Sequence, residues 1–91
     1  MKDIESLPSD YIEKLYINIG KNVKKERERK GVTQLQLSHA LGHRSVTLVS
    51  CAELCHKGRH FNIEHLAKIA YVLEISIENL IPDISAKAKN K

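Results

Sequence analysis

Apolar residues recur at steps of three and four along most of this chain, which is the spacing of helices with one buried face. Ile12, Leu15, Tyr16, Ile19 and Val23 make the first such stripe. It predicts a long helix that starts after Pro8, with Ser9 or Asp10 as its cap and Asp10 with Glu13 as a capping box, and runs to Lys30. Gly31 terminates it, and Gly20 inside it costs about 1 kcal/mol against alanine, so a kink or split is expected there. A second, shorter helix is expected after Thr33, with Leu37, Ala40 and Leu41 inward and Gly42 as its stop. Ser45 caps a third, over residues 45–55, whose Val49 and Ala52 fall one turn apart.

After the loop Cys55-His56-Lys57-Gly58-Arg59-His60-Phe61, Asn62 caps a fourth helix carrying Ile63, Leu66, Ile69, Ala70 and Leu73. Ser76 then caps a short fifth, with Ile77, Leu80 and Ile81, that ends at Pro82. The β-branched residues follow the helical period rather than alternating, so no strand is expected. The pattern predicts an all-α chain, a compact five-helix bundle with a helix-turn-helix at its centre. Residues 1–8 are expected to form a flexible leader, residues 9–82 the folded domain, and residues 83–91 a basic, disordered tail.

Length and charge narrow this picture. Ninety-one residues support a single core, and a net charge of +4 makes nucleic acid a natural partner, with solubility as the plainer explanation. No apolar run approaches the ~18 residues of a membrane span, and the acidic, polar start lacks a signal-peptide pattern. A cytoplasmic protein is expected, with Cys51 and Cys55 reduced and no membrane contact. Those cysteines, with His39, His43, His56 and His60, offer every ligand type zinc favours, but their spacing matches no common zinc module. No metal and no cofactor is expected. No enzyme is expected either, because no glycine-rich oxyanion loop accompanies the Cys/His pairs.

Many residues in order resemble the Cro/C1-type (XRE) helix-turn-helix family of phage repressors and small bacterial regulators. The likeness runs from Ile19 to Ile81. It takes in Ile19-Gly20, Val23, Lys24 and Arg27, then Lys30-Gly31-Val32-Thr33-Gln34. Leu37, Gly42, Ser45, Val49 and Glu53 follow, then Leu66-Ala67-Lys68-Ile69-Ala70 with Leu73, and Ser76-Ile77-Glu78-Asn79-Leu80-Ile81. Four features depart from the family pattern: Glu26 and Ser38 replace apolar and alanine residues, the turn Gly42-His43-Arg44-Ser45 is longer, and the following glycine is delayed to Gly58.

The resemblance implies a lambda-repressor-like fold and sequence-specific binding of double-stranded DNA, with the third helix in the major groove. By that analogy Val46, Thr47, Ser50 and Cys51 face base edges, helped by Arg44 from the turn; the plainer alternative is that Val46 packs on the protein. Gln34 and Ser45 would contact phosphate, and Lys57, Arg59 and His60 in the basic loop would contact phosphate or the minor groove. Arg27 and Glu53 would pair and tie the first helix to the third. The function expected is a small transcriptional regulator, a repressor bound as a homodimer to an inverted repeat. The dimer surface is sought on the fourth and fifth helices or on the turns before Ile19. The alternative is a module that binds a protein partner, such as an antitoxin or anti-repressor.

Overall fold

The computed structural model describes residues 1–82, and the predicted basic tail, residues 83–91, lies outside them. The described chain is all-helical, with no strand. Four α-helices run in order: α1 (Tyr11–Arg29), α2 (Gln34–Ala40), α3 (Thr47–Leu54) and α4 (Ile63–Leu73). Short 3-10 turns occupy Ile4–Ser6, His56–Gly58 and Ile77–Leu80. The fifth element expected as a helix is therefore a single 3-10 turn. Ser76 caps it through Glu78 N at 3.3 Å, and Pro82 follows too soon for the chain to add an α-helical turn.

The helix ends are set by local chemistry. Thr33 Oγ1 accepts from Gln36 N while Gln36 Oε1 accepts from Thr33 N, a reciprocal capping box at the start of α2. Asn62 and His65 do the same for α4: Asn62 Oδ1 accepts from His65 N, and His65 Nδ1 accepts from Asn62 N. The box expected at Asp10 and Glu13 is absent; Asp10 makes no cap hydrogen bond and pairs instead with Lys14 at 3.0 Å. At the far end of α2, Gly42 takes a φ of +89°. That left-handed turn lets Gly42 N donate to His39 O and His43 N to Ser38 O, which satisfies the last carbonyls of the helix.

Inward residues of all four helices form one core. Ile19, Val23, Leu37, Val49, Ala52, Leu66, Ile69, Leu73 and Leu80 are buried there. So is Phe61, the largest fully buried side chain, which the periodicity left in a loop. Leu15 and Tyr16 pack against this core while Ile12 is exposed, so most of the extension before Ile19 covers its own domain. Ala40, expected inward, faces out.

Gly20 does not kink α1, which is continuous from Tyr11 to Arg29. It is buried where α1 crosses α3, and a Cβ there would lie 2.6 Å from the carbonyl oxygens of both Ala52 and Glu53. Glycine at this position sets the distance between the two helices. Ser38 is also fully buried, and its hydroxyl has no hydrogen-bond partner. Glu26 stays on α1 despite its burial, because Arg29 binds its carboxylate at 2.7 Å.

Candidate nucleic-acid interface

A short helix can present one face only if its other face is held firmly, and α3 is held from three directions. Val49 and Ala52 bury its inner face in the core. Beside them the Glu53 carboxylate, with no exposed side-chain surface, accepts from Arg27 Nε at 2.7 Å and Nη2 at 3.1 Å. The expected Arg27–Glu53 pair is therefore present, as a two-point contact of matched planar groups. Glu53 Oε1 also accepts from Gln34 Nε2 at 2.9 Å, and Arg27 Nη1 donates to Val32 O at 2.8 Å. One carboxylate thus joins α1, α2 and α3. The hydrogen bond to Glu53 holds the Arg27 guanidinium charged even further above its usual range, against the opposing effect of burial.

Gln34, expected to contact phosphate, donates from Nε2 to Glu53, because the buried carboxylate still has lone pairs to satisfy after Arg27 has bound. No sequence pattern separates those two roles for a glutamine at the start of a helix.

The opposite face of α3 is left open. Ser45, expected as the cap, lies one residue further out: Val46 occupies the N-cap position with no side-chain cap bond, and Ser45 Oγ accepts from Thr47 N at 3.0 Å in a local turn before the helix. Ser45 and Thr47 hydroxyls share a hydrogen bond of 2.6 Å, and Ser50 Oγ donates to Thr47 O at 3.3 Å. Arg44 and Thr47 are exposed, while Val46, Ser50 and Cys51 are half-buried. All five expected base-reading residues therefore lie in or just before α3 with surface available. Val46, in particular, is half-buried without belonging to the core or to the residues packed against it.

The loop after α3 folds back sharply. Cys55 and Lys57 adopt φ values of +54° and +52°, followed by Gly58 at +75°. A left-handed conformation costs a side-chain-bearing residue about 1–2 kcal/mol. At Cys55 it closes α3, but at Lys57 it turns the chain a second time. Lys57 and Arg59 are exposed on this fold-back, and Arg59 Nη1 lies 3.9 Å from Cys51 Sγ. His60, the third expected phosphate contact, behaves differently. Its ring stacks on Tyr16 of α1 with centroids 3.6 Å apart, and Nδ1 donates to Gly58 O at 3.1 Å. An imidazole is both cation and flat apolar plate, and the tertiary neighbour decides which property is used.

Cys51 and Cys55 are free thiols, and no group of three metal-binding side chains is present among the described residues. No helix of the described chain is long and apolar enough to cross a membrane.

Compared with known proteins, the chain matches no family model, no curated protein and no solved structure.

Proposed function

We propose that this protein is a sequence-specific double-stranded-DNA-binding regulator of the phage-repressor type, with a lambda-repressor-like arrangement of helices and α3 as the recognition helix. One observation carries the reading. The inner face of α3 is locked by Val49, Ala52 and the Arg27–Glu53–Gln34 network, while Arg44, Val46, Thr47, Ser50 and Cys51 remain available on the other. Such a helix is stiff in its setting and unemployed outside. The cations Lys57 and Arg59 beside it suit a polyanionic partner.

On this reading Val46 and the Thr47 methyl meet thymine methyls, and the Thr47 hydroxyl accepts or donates at a base edge. Ser45 and Lys57 bind phosphate and set the register. One recognition helix spans few base pairs, so the protein acts as a homodimer on two half-sites about 34 Å apart. Repression by occupancy of an inverted repeat, in the cytoplasm and on the nucleoid, is the resulting role.

A protein-binding role, as in an antitoxin or anti-repressor, is the second reading. It draws on an open groove of about 500 Å³ between the end of α2 and α4, floored by Ala40, Gly42 and Ala67. Tyr71, 85% exposed, stands at its edge, and Leu54 at the end of α3 is 70% exposed. Selection from a random duplex library decides between them. Enrichment of an inverted repeat, bound far more tightly than random DNA and with affinity that falls as salt rises, supports the regulator. Enrichment of nothing, with a salt-indifferent protein complex that hides Val46 and Thr47, supports the second reading.

A further inference from the structure

The face of α3 that the regulator reading assigns to base recognition is short-armed. Val46, Thr47, Ser50 and Cys51 carry no forked donor, and none of them reaches far from the helix. Arg44 precedes the helix, on the side of its first turn. The second turn, at Cys51, has no long polar side chain on its open face, since Glu53 points inward to Arg27.

The fold supplies one from elsewhere. Arg59 lies eight positions further along the chain, yet its guanidinium reaches back to the Cys51 sulfur, where Nη1 donates at 3.9 Å. The chain is fixed on both sides of it. Before it, the left-handed residues Cys55, Lys57 and Gly58 reverse the direction of the loop. After it, His60 stacks on Tyr16 and Phe61 is 1% exposed in the core. Its own backbone N–H donates to His56 O at 3.0 Å. Arg59 is thus held at its root while its side chain stays exposed, and it makes no ion pair with a described residue.

From this placement we infer that Arg59 is a specificity-determining residue: it reads a guanine edge in the major groove beside the second turn of α3, in place of the side chain that Cys51 is too short to supply. The sequence assigns Arg59, along with Lys57, to phosphate or the minor groove. The two differ in the structure, since only Arg59 is laid against the helix that enters the groove. Nη1 spans to the sulfur, and the remaining edge of the planar fork, Nε with Nη2, matches the O6 and N7 acceptors of guanine. The inference rests on the DNA-binding reading and adds the base and the residue that reads it.

The test is library selection run in parallel on wild type, Arg59→Ala and Arg59→Lys. Each protein is then titrated on the wild-type operator, on single-base variants of it and on random duplex at two salt concentrations. The site is exposed, and circular dichroism confirms that the variants fold. Wild type is expected to require G·C at one position of each half-site, and both variants lose that requirement. Their affinity for the wild-type operator falls roughly 5- to 150-fold, the range of one bidentate pair. Arg59→Lys keeps the salt dependence and the affinity for random DNA, because the charge remains.

Two results overturn the inference while leaving the regulator reading intact. One is an unchanged base preference at every position in both variants. The other is an equal loss on operator and random DNA in Arg59→Ala with normal behaviour in Arg59→Lys, which returns Arg59 to phosphate binding. A wild-type protein that enriches no sequence overturns both.

Discussion

Gly20 of α1 and Ala52 of α3 meet backbone to backbone: a Cβ on Gly20 would sit 2.6 Å from the Ala52 carbonyl oxygen. Glycine in the middle of a helix is unfavourable by about 1 kcal/mol relative to alanine. Propensity alone therefore predicts that Gly20→Ala stabilises the protein. The contact reverses the sign, because the obstructing atoms are backbone and cannot rotate away. Gly20→Ala should lower the unfolding free energy by about 1–3 kcal/mol, as overpacked cores do, in urea denaturation monitored by circular dichroism. A gain in stability would show that α1 and α3 are further apart than described.

Glu53 is the shared acceptor for Arg27 and Gln34, and removing its charge leaves a guanidinium with 8% side-chain exposure only the longer 3.9 Å contact to the exposed Glu28 carboxylate as a charged partner. Glu53→Gln should cost about 3–5 kcal/mol. Replacing both members by methionine should recover much of that loss, since a buried ion pair contributes little beyond a well-packed apolar pair. Equilibrium unfolding of the single and double variants tests this. A single-variant loss below about 1 kcal/mol would place the pair in water rather than in the interior.

Ser38 buries a hydroxyl without a partner. Ser38→Ala removes that desolvated group and raises helix propensity at the same time, so stability should increase by about 1 kcal/mol. Thermal melting is sufficient to see it. A loss instead would mean that the hydroxyl is satisfied by a water held between the helices.

His65 responds to acid. Burial is the first cause of its lowered pKa, and the nearby His43 is the second; Lys68 and His60 act in the same direction, and Glu64 opposes them. Its Nδ1 must also be unprotonated to accept from Asn62 N. The folded state therefore binds its proton less readily than the unfolded chain does. Stability is complete above the ordinary histidine range and is lost as pH falls through the lowered folded value. Melting temperatures of wild type should drop between about pH 7 and about pH 5. His65→Gln, which keeps a capping-box acceptor without a titrating ring, should flatten that part of the curve. Parallel curves for the two proteins would exclude His65 as the cause.

If the proposed regulator function holds, the open face of α3 and the loop after it separate by what they change. Thr47→Ala and Arg44→Ala should relax base preference with little effect on random duplex. Lys57→Ala should weaken every duplex alike and reduce the slope of log affinity against log salt by about one unit. Titrations at several salt concentrations distinguish the two patterns. Equal losses on all DNA from all three variants would remove Arg44 and Thr47 from base readout.

The helices and their ends were largely legible in the chain, because they depend on neighbours within four positions. Thr33, Asn62 and Ser76 cap what their sequence context says they cap, and Gly31 and Gly42 stop the helices they follow, whereas Ser45 falls one residue before the Val46 N-cap of α3. The stripes of Val23, Leu37, Val49, Leu66 and Leu73 identified most of the core for the same reason. Asp10 failed as a cap because Lys14, one turn on, binds its carboxylate instead. Such local competition has no fixed outcome in the pattern.

Roles that depend on a distant partner could not be read in this way. Gly20 looked like a weak point in α1 until α3 was laid across it, and Phe61 looked like loop until it filled the core. Gln34, His60 and Arg59 are all polar residues in exposed-looking stretches. One turned in to a buried carboxylate, one stacked on Tyr16, and one crossed to α3. The order of amino acids, by itself, determined where helices start, stop and hide their apolar faces, since period and capping act through the nearest few residues. Only the tertiary structure decided what each polar side chain would meet, because those partners are brought together by packing and lie anywhere along the chain.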